Sequence, residues 1–174
     1  AACGHDAVVA CATVKAIVAV GNGGEDTLRG GTGADTMAGG DDADTFIIED
    51  GFGSDSITGG EGTTDPSDSD DDRIDLSALS GPVTVTYSGD EAGAITDGTD
   101  TLSFAEIEAL TLTDHDDRLD LFTTGVSTPL NVAAGDGADT LMGFTQDDSL
   151  SGEAGHDEIW GHFGADSLDG GAGD

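Results

Sequence analysis

The chain has 174 residues, and its 37 acidic residues against only 4 Lys and Arg give a formal net charge of −33 at pH 7. So acidic a surface repels phosphate-rich partners, and we therefore expect no binding to nucleic acid or to anionic membranes. Aromatic residues make up 5% of the chain, which argues against a large conventional core. No stretch is apolar for the roughly 18 residues that a membrane helix needs, so no membrane insertion is expected.

Residues 1–20 are predicted to be two degenerate copies of a nine-residue repeat. A regular copy has an aspartate at position six and an apolar residue at position eight. The first copy keeps Asp6 and Val8, whereas the second keeps Ile17 but has Lys15 where the aspartate belongs. Because an ammonium group cannot ligate a cation, we expect these degenerate solenoid coils to bind no metal.

The two cysteines, Cys3 and Cys11, fall in these two copies, on turns predicted to lie at opposite edges of the solenoid. A disulfide between them would be too long, which favours two separate thiols. A disulfide or another covalent link is the alternative, and it would fit an extracellular protein.

Residues 21–62 show the repeat clearly, as Gly-Gly-x-Gly-x-Asp-x-apolar-x. The copy at 30–38 reads Gly-Gly-Thr-Gly-Ala-Asp-Thr-Met-Ala. Glycine permits the positive φ of a tight turn, and the apolar position sits in a short run of strand-forming residues. Each repeat is therefore predicted to be a six-residue turn followed by a three-residue strand. The copy that opens at Gly59 has Thr64 where its aspartate belongs.

Residues 63–133 interrupt this pattern. The acidic run 63–72 is predicted to be a solvated loop, with a second kind of calcium loop as the alternative. The rest loses the glycine signature of the repeat but keeps short strands, such as the alternating run Val83 to Tyr87. We favour continued solenoid coils here over a separate domain.

Residues 134–174 form a second regular block, with repeats that start at Ala134, Gly143, Gly152, Gly161 and Gly170. Two nine-residue repeats make one coil, so residues 18 apart stack on the same edge. The chain is thus predicted to be all-β: a parallel β-roll, or β-solenoid, with two repeat blocks.

This stacking predicts calcium sites. Two stacked aspartates about 5 Å apart repel by roughly 3 kcal/mol at an effective dielectric constant near 20. A cation between stacked turns would replace that repulsion with two carboxylates and about four backbone carbonyls. Six oxygens suit calcium, whereas magnesium keeps its water and zinc prefers nitrogen or sulfur. We therefore expect folding to depend on several calcium ions.

The two blocks resemble the RTX family, the haemolysin-type calcium-binding nonapeptide repeats. The resemblance implies a parallel β-roll with calcium between alternate turns, in a bacterial protein that a type I machine secretes. It implies that Asp26 pairs with Asp44, Asp35 with Asp55, Asp139 with Asp157 and Asp148 with Asp166. It implies carbonyl ligands from positions one and three of the lower turn of each pair, which are Gly21, Gly23, Gly30, Thr32, Gly39, Asp41, Ala134, Asp136, Gly143, Thr145, Gly152 and Ala154. Positions two and four of the upper turn would add Gly40, Asp42, Gly51, Gly53, Gly60, Gly62, Glu153, Gly155, His162, Gly164, Gly171 and Gly173.

No catalytic signature stands out. The sequence contains neither His-Glu-x-x-His nor Gly-x-Ser-x-Gly, and we expect no enzyme activity. His156 and His162 are interpreted as surface residues, and Trp160 with Phe163 as a small apolar surface patch. The predicted function is structural: an extracellular component of a bacterial surface, matrix, adhesin or filament that self-associates end to end. The alternative is the C-terminal calcium-binding module of a type I-secreted enzyme or toxin.

Overall fold

The computed structural model describes residues 8–10, 17–60, 71–120, 126 and 128–173. The expectations for Asp6, Lys15, the two cysteines, Gly62 and Thr64 fall outside these ranges. Since the described residues contain no helix, none of them forms one that could cross a membrane. The strands are β1 Val8–Ala10, β2 Val18–Gly23, β3 Thr27–Arg29, β4 Thr36–Asp41, β5 Thr45–Ile47, β6 Ser56–Thr58, β7 Arg73–Asp75, β8 Thr84–Gly89, β9 Ala92–Thr96, β10 Thr101–Ala105, β11 Ala109–Thr111, β12 Arg118–Asp120, β13 Asn131–Ala133, β14 Asp136–Gly137, β15 Thr140–Met142, β16 Ser149–Ser151, β17 Ala154–Gly155, β18 Glu158–Trp160 and β19 Ser167–Asp169.

Two facing sheets carry nearly all of these strands. One has eight strands in the order β1-β3-β5-β7-β11-β13-β16-β19, and the other has nine in the order β18-β15-β12-β8-β9-β10-β6-β4-β2. In both blocks the chain alternates between the sheets, so each strand pairs in parallel with the strand one coil later. The predicted all-β parallel roll is confirmed.

The middle of the nine-stranded sheet departs from the roll. β8, β9 and β10 form an antiparallel meander, which pairs in parallel with β6 on one side and β12 on the other. The opposite sheet steps directly from β7 to β11. The expected solenoid strands are present at β7, β11, β12 and β13, but the sequence pattern did not reveal the meander. A tight turn explains part of it, since the backbone N–H groups of Thr99 and Asp100 donate to Asp97 Oδ1 at 2.8 and 2.7 Å.

The predicted register of the first coils is wrong. β1 pairs Val9, rather than Val8, with Leu28. In β2 the core position belongs to Ala19, which lies opposite Met37 and is 1% exposed, whereas Ile17 takes the place of a turn aspartate. Residues 16–20 are all apolar, so without the glycine and aspartate markers this segment fits several registers.

The core is a single narrow cluster along the roll. The middle residue of each short strand faces inward, as in Leu28, Phe46 and Leu150, while its neighbours face outward. The meander adds larger side chains, and the rings of Tyr87 and Phe104 meet edge to face with centroids 5.3 Å apart. Because each coil buries so few apolar residues, the interactions at the turns have a large effect on the stability of the roll.

Candidate metal centre

The turns of both blocks share an unusual backbone conformation. Positions two and four have positive φ, as at Gly31 (83°) and Gly33 (126°), and at Gly51 (76°) and Gly53 (78°). This is the region that favours glycine, which explains the repeated Gly-x-Gly. Non-glycine residues adopt it in the same turns at Asn22, Asp42, Glu153 and His162.

The glycine at position one has a different role, because it leaves room for the carboxylate of its own turn. A Cβ added to Gly30 would lie 2.6 Å from Asp35 Oδ2. The same close approach relates Gly39 to Asp44, Gly152 to Asp157 and Gly161 to Asp166. A side chain at these four glycines would therefore crowd the aspartate, whereas the turn of Asp139 holds Ala134 at position one.

The stacked aspartates form a ladder along each edge of the roll. The backbone N–H of each aspartate donates to Oδ1 of the aspartate one coil later, which orients every carboxylate in the same way. All four expected pairs are brought together by this contact: Asp26 with Asp44 at 2.7 Å, Asp35 with Asp55 at 2.8 Å, Asp139 with Asp157 at 3.0 Å and Asp148 with Asp166 at 3.0 Å.

The second oxygen of several carboxylates is buried without a protein partner. This holds for Oδ2 of Asp35, Asp55, Asp139 and Asp157. Burial raises the pKa of Asp55 to about 6 and that of Asp139 to about 7, because a charged carboxylate loses its hydration there. At Asp148 the Phe144 backbone N–H donates to Oδ2 at 3.0 Å, and burial again raises the pKa.

These buried oxygens fit a hard cation. A buried carboxylate oxygen without a partner costs several kcal/mol, a penalty that a bound ion removes. Within the described ranges, no three His, Cys, Asp or Glu side chains come close enough to hold a metal among themselves. A site of the expected kind needs only two carboxylates, because turn carbonyls supply the other oxygens, and oxygen alone favours calcium.

The expected carbonyl donors lie in these same turns. Those at position one are buried beside the carboxylates, as at Gly21, Ala134 and Gly143. Most of those at positions two and four within the described ranges are left-handed residues, and several of them press against the turn one coil earlier. A Cβ on Gly53 would clash with the carbonyl oxygen of Gly33, and one on Gly164 with that of Gln146.

Asp72 is a ladder residue that the sequence pattern did not reveal. It was assigned to a solvated loop, yet it is 1% exposed, and the Asp44 backbone N–H donates to its Oδ1 at 2.7 Å. Gly59 leaves room for its Oδ2, as in a regular repeat. Asp72 therefore takes the place assigned to Thr64, beyond an insertion in the turn. Ile74, the core residue two positions later, was the available signal.

Asp117 is a second such residue. Its Oδ1 accepts from the Val83 backbone N–H at 2.7 Å, and its own backbone N–H donates to Asp139 Oδ1 at 2.7 Å. Leu119, two residues later, was again the signal. At the other edge, residues other than aspartate take ladder positions in the middle of the chain. Glu108 Oε2 accepts a hydrogen bond from the Asp72 backbone N–H at 2.7 Å. Leu130 takes the next position, and its backbone N–H donates to Asp148 Oδ1.

The side chains set aside as surface residues lie at the surface. His156 and His162 are exposed, and Phe163 is 75% and Trp160 38% exposed. Phe163 lines a cavity of about 130 Å³ with Met142 and Phe144.

Fold and turns together define a parallel β-roll with oxygen-only cation sites along its edges. The sequence profile of the RTX calcium-binding nonapeptide repeat matches this chain in four copies, at residues 20–47, 47–63, 131–158 and 142–174. These matches cover half of the chain, and the protein belongs to the RTX calcium-binding nonapeptide repeat family. Calcium is the ion that such repeats bind. A search of curated proteins finds no match to the chain.

Proposed function

We propose that this protein is a structural β-roll that folds outside the cell when calcium binds between its turns. The observation that carries the proposal is the set of buried, unpartnered carboxylate oxygens at Asp35, Asp55, Asp139 and Asp157, in both repeat blocks. The aspartates of the ladders are held by backbone amides, as parts of a scaffold. A calcium-bound scaffold of this kind supports a role in a surface, matrix, adhesin or filament.

The calcium concentration on the two sides of the cell envelope supports an extracellular location. Extracellular modules bind calcium with dissociation constants on the order of 10⁻⁴–10⁻³ M. Sites of that affinity are empty in the cytosol and filled outside. Repulsion arising from the net charge of −33 then keeps the ion-free repeat blocks expanded, which suits export through a type I machine before these blocks fold.

Self-association along the roll is the partner interaction that we propose. Each coil pairs in parallel with the next in both sheets, so a coil of a second copy would continue the same pairing. An open strand edge with apolar side chains pairs readily with another strand. Sedimentation in calcium tests this proposal: concentration-dependent growth of the particle is expected, and a strict monomer would contradict it.

Family membership also supports a second candidate, a calcium-binding module of a larger secreted enzyme or toxin. The roll itself would act identically in that setting. The sequence of the full-length gene distinguishes the two, because a protease, lipase or pore-forming region beside the roll would favour the module.

The calcium-dependent roll is tested by titrating the ion-free protein while strand content is followed by circular dichroism. We expect a cooperative gain of strand content in calcium and little in magnesium at the same concentration. Identical spectra in calcium and in chelator would contradict the proposal. Calorimetric titration of the same sample would give the number of ions bound.

A further inference from the structure

We propose that the central coils, β7 to β12, stay folded without calcium and act as the template on which both repeat blocks assemble. This rests on the proposed function, since it divides the roll into a calcium-independent centre and two calcium-dependent arms. In the centre, two protein groups at the turns, Thr113 and Glu108, take over parts of the site that the arms build from stacked aspartates.

Thr113 is the first of these groups. Its backbone N–H donates to Asp117 Oδ2 at 2.7 Å, and its hydroxyl lies 3.0 Å from Oδ1 and 2.9 Å from Oδ2. With the Val83 N–H also on Oδ1, both oxygens of this carboxylate have hydrogen-bond donors. In the arms, position two of the turn has no such hydroxyl: Asp148 accepts only the backbone N–H of Phe144 there. Thr113 therefore satisfies with hydrogen bonds what calcium satisfies elsewhere.

Glu108 is the second group, on the opposite edge of the roll. Its longer side chain reaches the Asp72 backbone N–H, with 2.7 Å between Oε2 and N. In return, the backbone N–H groups of Glu108 and Ala109 donate to the Asp72 carbonyl at 3.1 and 3.0 Å. Glu108 therefore takes the place of the next ladder aspartate at this edge, with backbone contacts like those that join the coils of the arms.

The meander gives the centre local strand pairing that the arms lack. Val85 lies opposite Ile95, and Ile95 lies opposite Leu102, so partners are close in sequence. In the arms, paired strands are joined only through a full coil of glycine-rich chain. Short connections cost less entropy to close. The centre also holds the Tyr87 and Phe104 pair, whose apolar burial is independent of any ion.

The unpartnered carboxylate oxygens named above lie in the two repeat blocks rather than in the central coils. Those of Asp35 and Asp55 belong to the first block, and those of Asp139 and Asp157 to the second. The folded centre would present open strand edges to both arms, at β7 and β10 toward the first block and at β11 and β12 toward the second. Calcium would then add coils outward from these edges, in both directions.

Hydrogen exchange of the whole chain, read by mass spectrometry in chelator and in calcium, tests the template. In chelator we expect peptides from residues 84–120 to keep their protection, while peptides from 21–58 and 136–169 exchange like an unfolded chain. In calcium, all three should be protected. Exchange of the centre together with the arms in chelator would overturn the template. Absence of any calcium-induced protection would instead overturn the proposed function.

Variants of Thr113 test its part in the template. In chelator, Thr113→Val should exchange about tenfold faster than the wild type over residues 84–120, because its hydroxyl contacts are lost. Thr113→Ser should restore the protection, and Thr111→Val, on the outer side of β11, should leave it unchanged. Equal protection in Thr113→Val and the wild type would overturn the role of this hydroxyl. If Thr113→Val fails to fold even in calcium, the wild-type exchange pattern still decides whether the template exists.

Discussion

At the scale of single residues, Asp72 and Asp117 extend the aspartate ladders beyond the regular repeats. Asp72 and Asp117 lie outside the regular repeats, yet both are buried and take the same hydrogen bonds as the repeat aspartates. The ladder at one edge therefore continues from Asp44 across the acidic insertion. We infer that Asp72 is a calcium ligand of the first block.

The adjacent pair Asp71 and Asp72 offers a matched test of that ligand. Asp72→Ala should lower the number of calcium ions bound and the melting temperature in calcium, because the Asp44 turn loses its upper carboxylate. Asp71 is exposed, so Asp71→Ala removes the same charge without touching the ladder. Calorimetric titration and thermal melts of both variants measure the difference, and equal effects would place Asp72 outside the site.

Burial of the ladder aspartates predicts an unusual pH dependence for the calcium-free protein. The pKa values of Asp55 and Asp139 are raised from 3.8 to about 6 and about 7, so the folded state binds protons more tightly than the unfolded chain. In chelator the repeat blocks should therefore be most stable below about pH 4, should lose this stability as the pH rises through 6 and 7, and should be unfolded at neutral pH. Melting in chelator at pH 5, 6 and 8 tests this, and a melting temperature that rises with pH would contradict it. Calcium should remove most of the dependence.

At the scale of the element, the turn is a unit in which each glycine has its own reason. In most turns positions two and four have a positive φ, whereas the glycine at position one leaves the space that a Cβ would fill. The strand that follows contributes only one core residue. The turn, rather than the strand, therefore determines whether a coil forms.

Alanine at position one should show this directly. Gly30→Ala should destabilise the calcium-bound roll by about 1–3 kcal/mol, since its Cβ would lie 2.6 Å from Asp35 Oδ2. Gly81→Ala is the control, because a Cβ there has no atom within 4 Å. Chemical denaturation in saturating calcium compares the two variants. A neutral Gly30→Ala would mean that the carboxylate does not need that space.

At the scale of the whole molecule, the charge of −33 sets the balance between the expanded chain and the roll. Each added coil brings another pair of carboxylates together on each edge, so repulsion grows with the length of the roll. Ions held between the turns oppose this repulsion where it is strongest. The stability of a β-roll of this composition therefore depends on the ions in solution along its whole length.

An experiment at high salt distinguishes general screening of the carboxylate charges from specific ligation of an ion by the turns. Sodium chloride at 1 M shortens the screening length to about 3 Å and weakens repulsion between exposed carboxylates. We expect it to compact the calcium-free chain without forming the arms, because a monovalent ion does not replace the ligation of buried oxygens. Circular dichroism in 1 M sodium chloride with chelator measures this. Full strand content under those conditions would show that screening alone is sufficient.

The sequence by itself determined the repeat, the parallel roll, the two blocks and the four aspartate pairs. It could do so because glycine and aspartate recur at fixed positions, and each position has a local physical reason. Only the tertiary structure decided the register of residues 17–20, the meander and the burial of Asp72 and Asp117. In those segments the local pattern is weak or interrupted by an insertion, and the partner of each residue is set by which strand lies beside it.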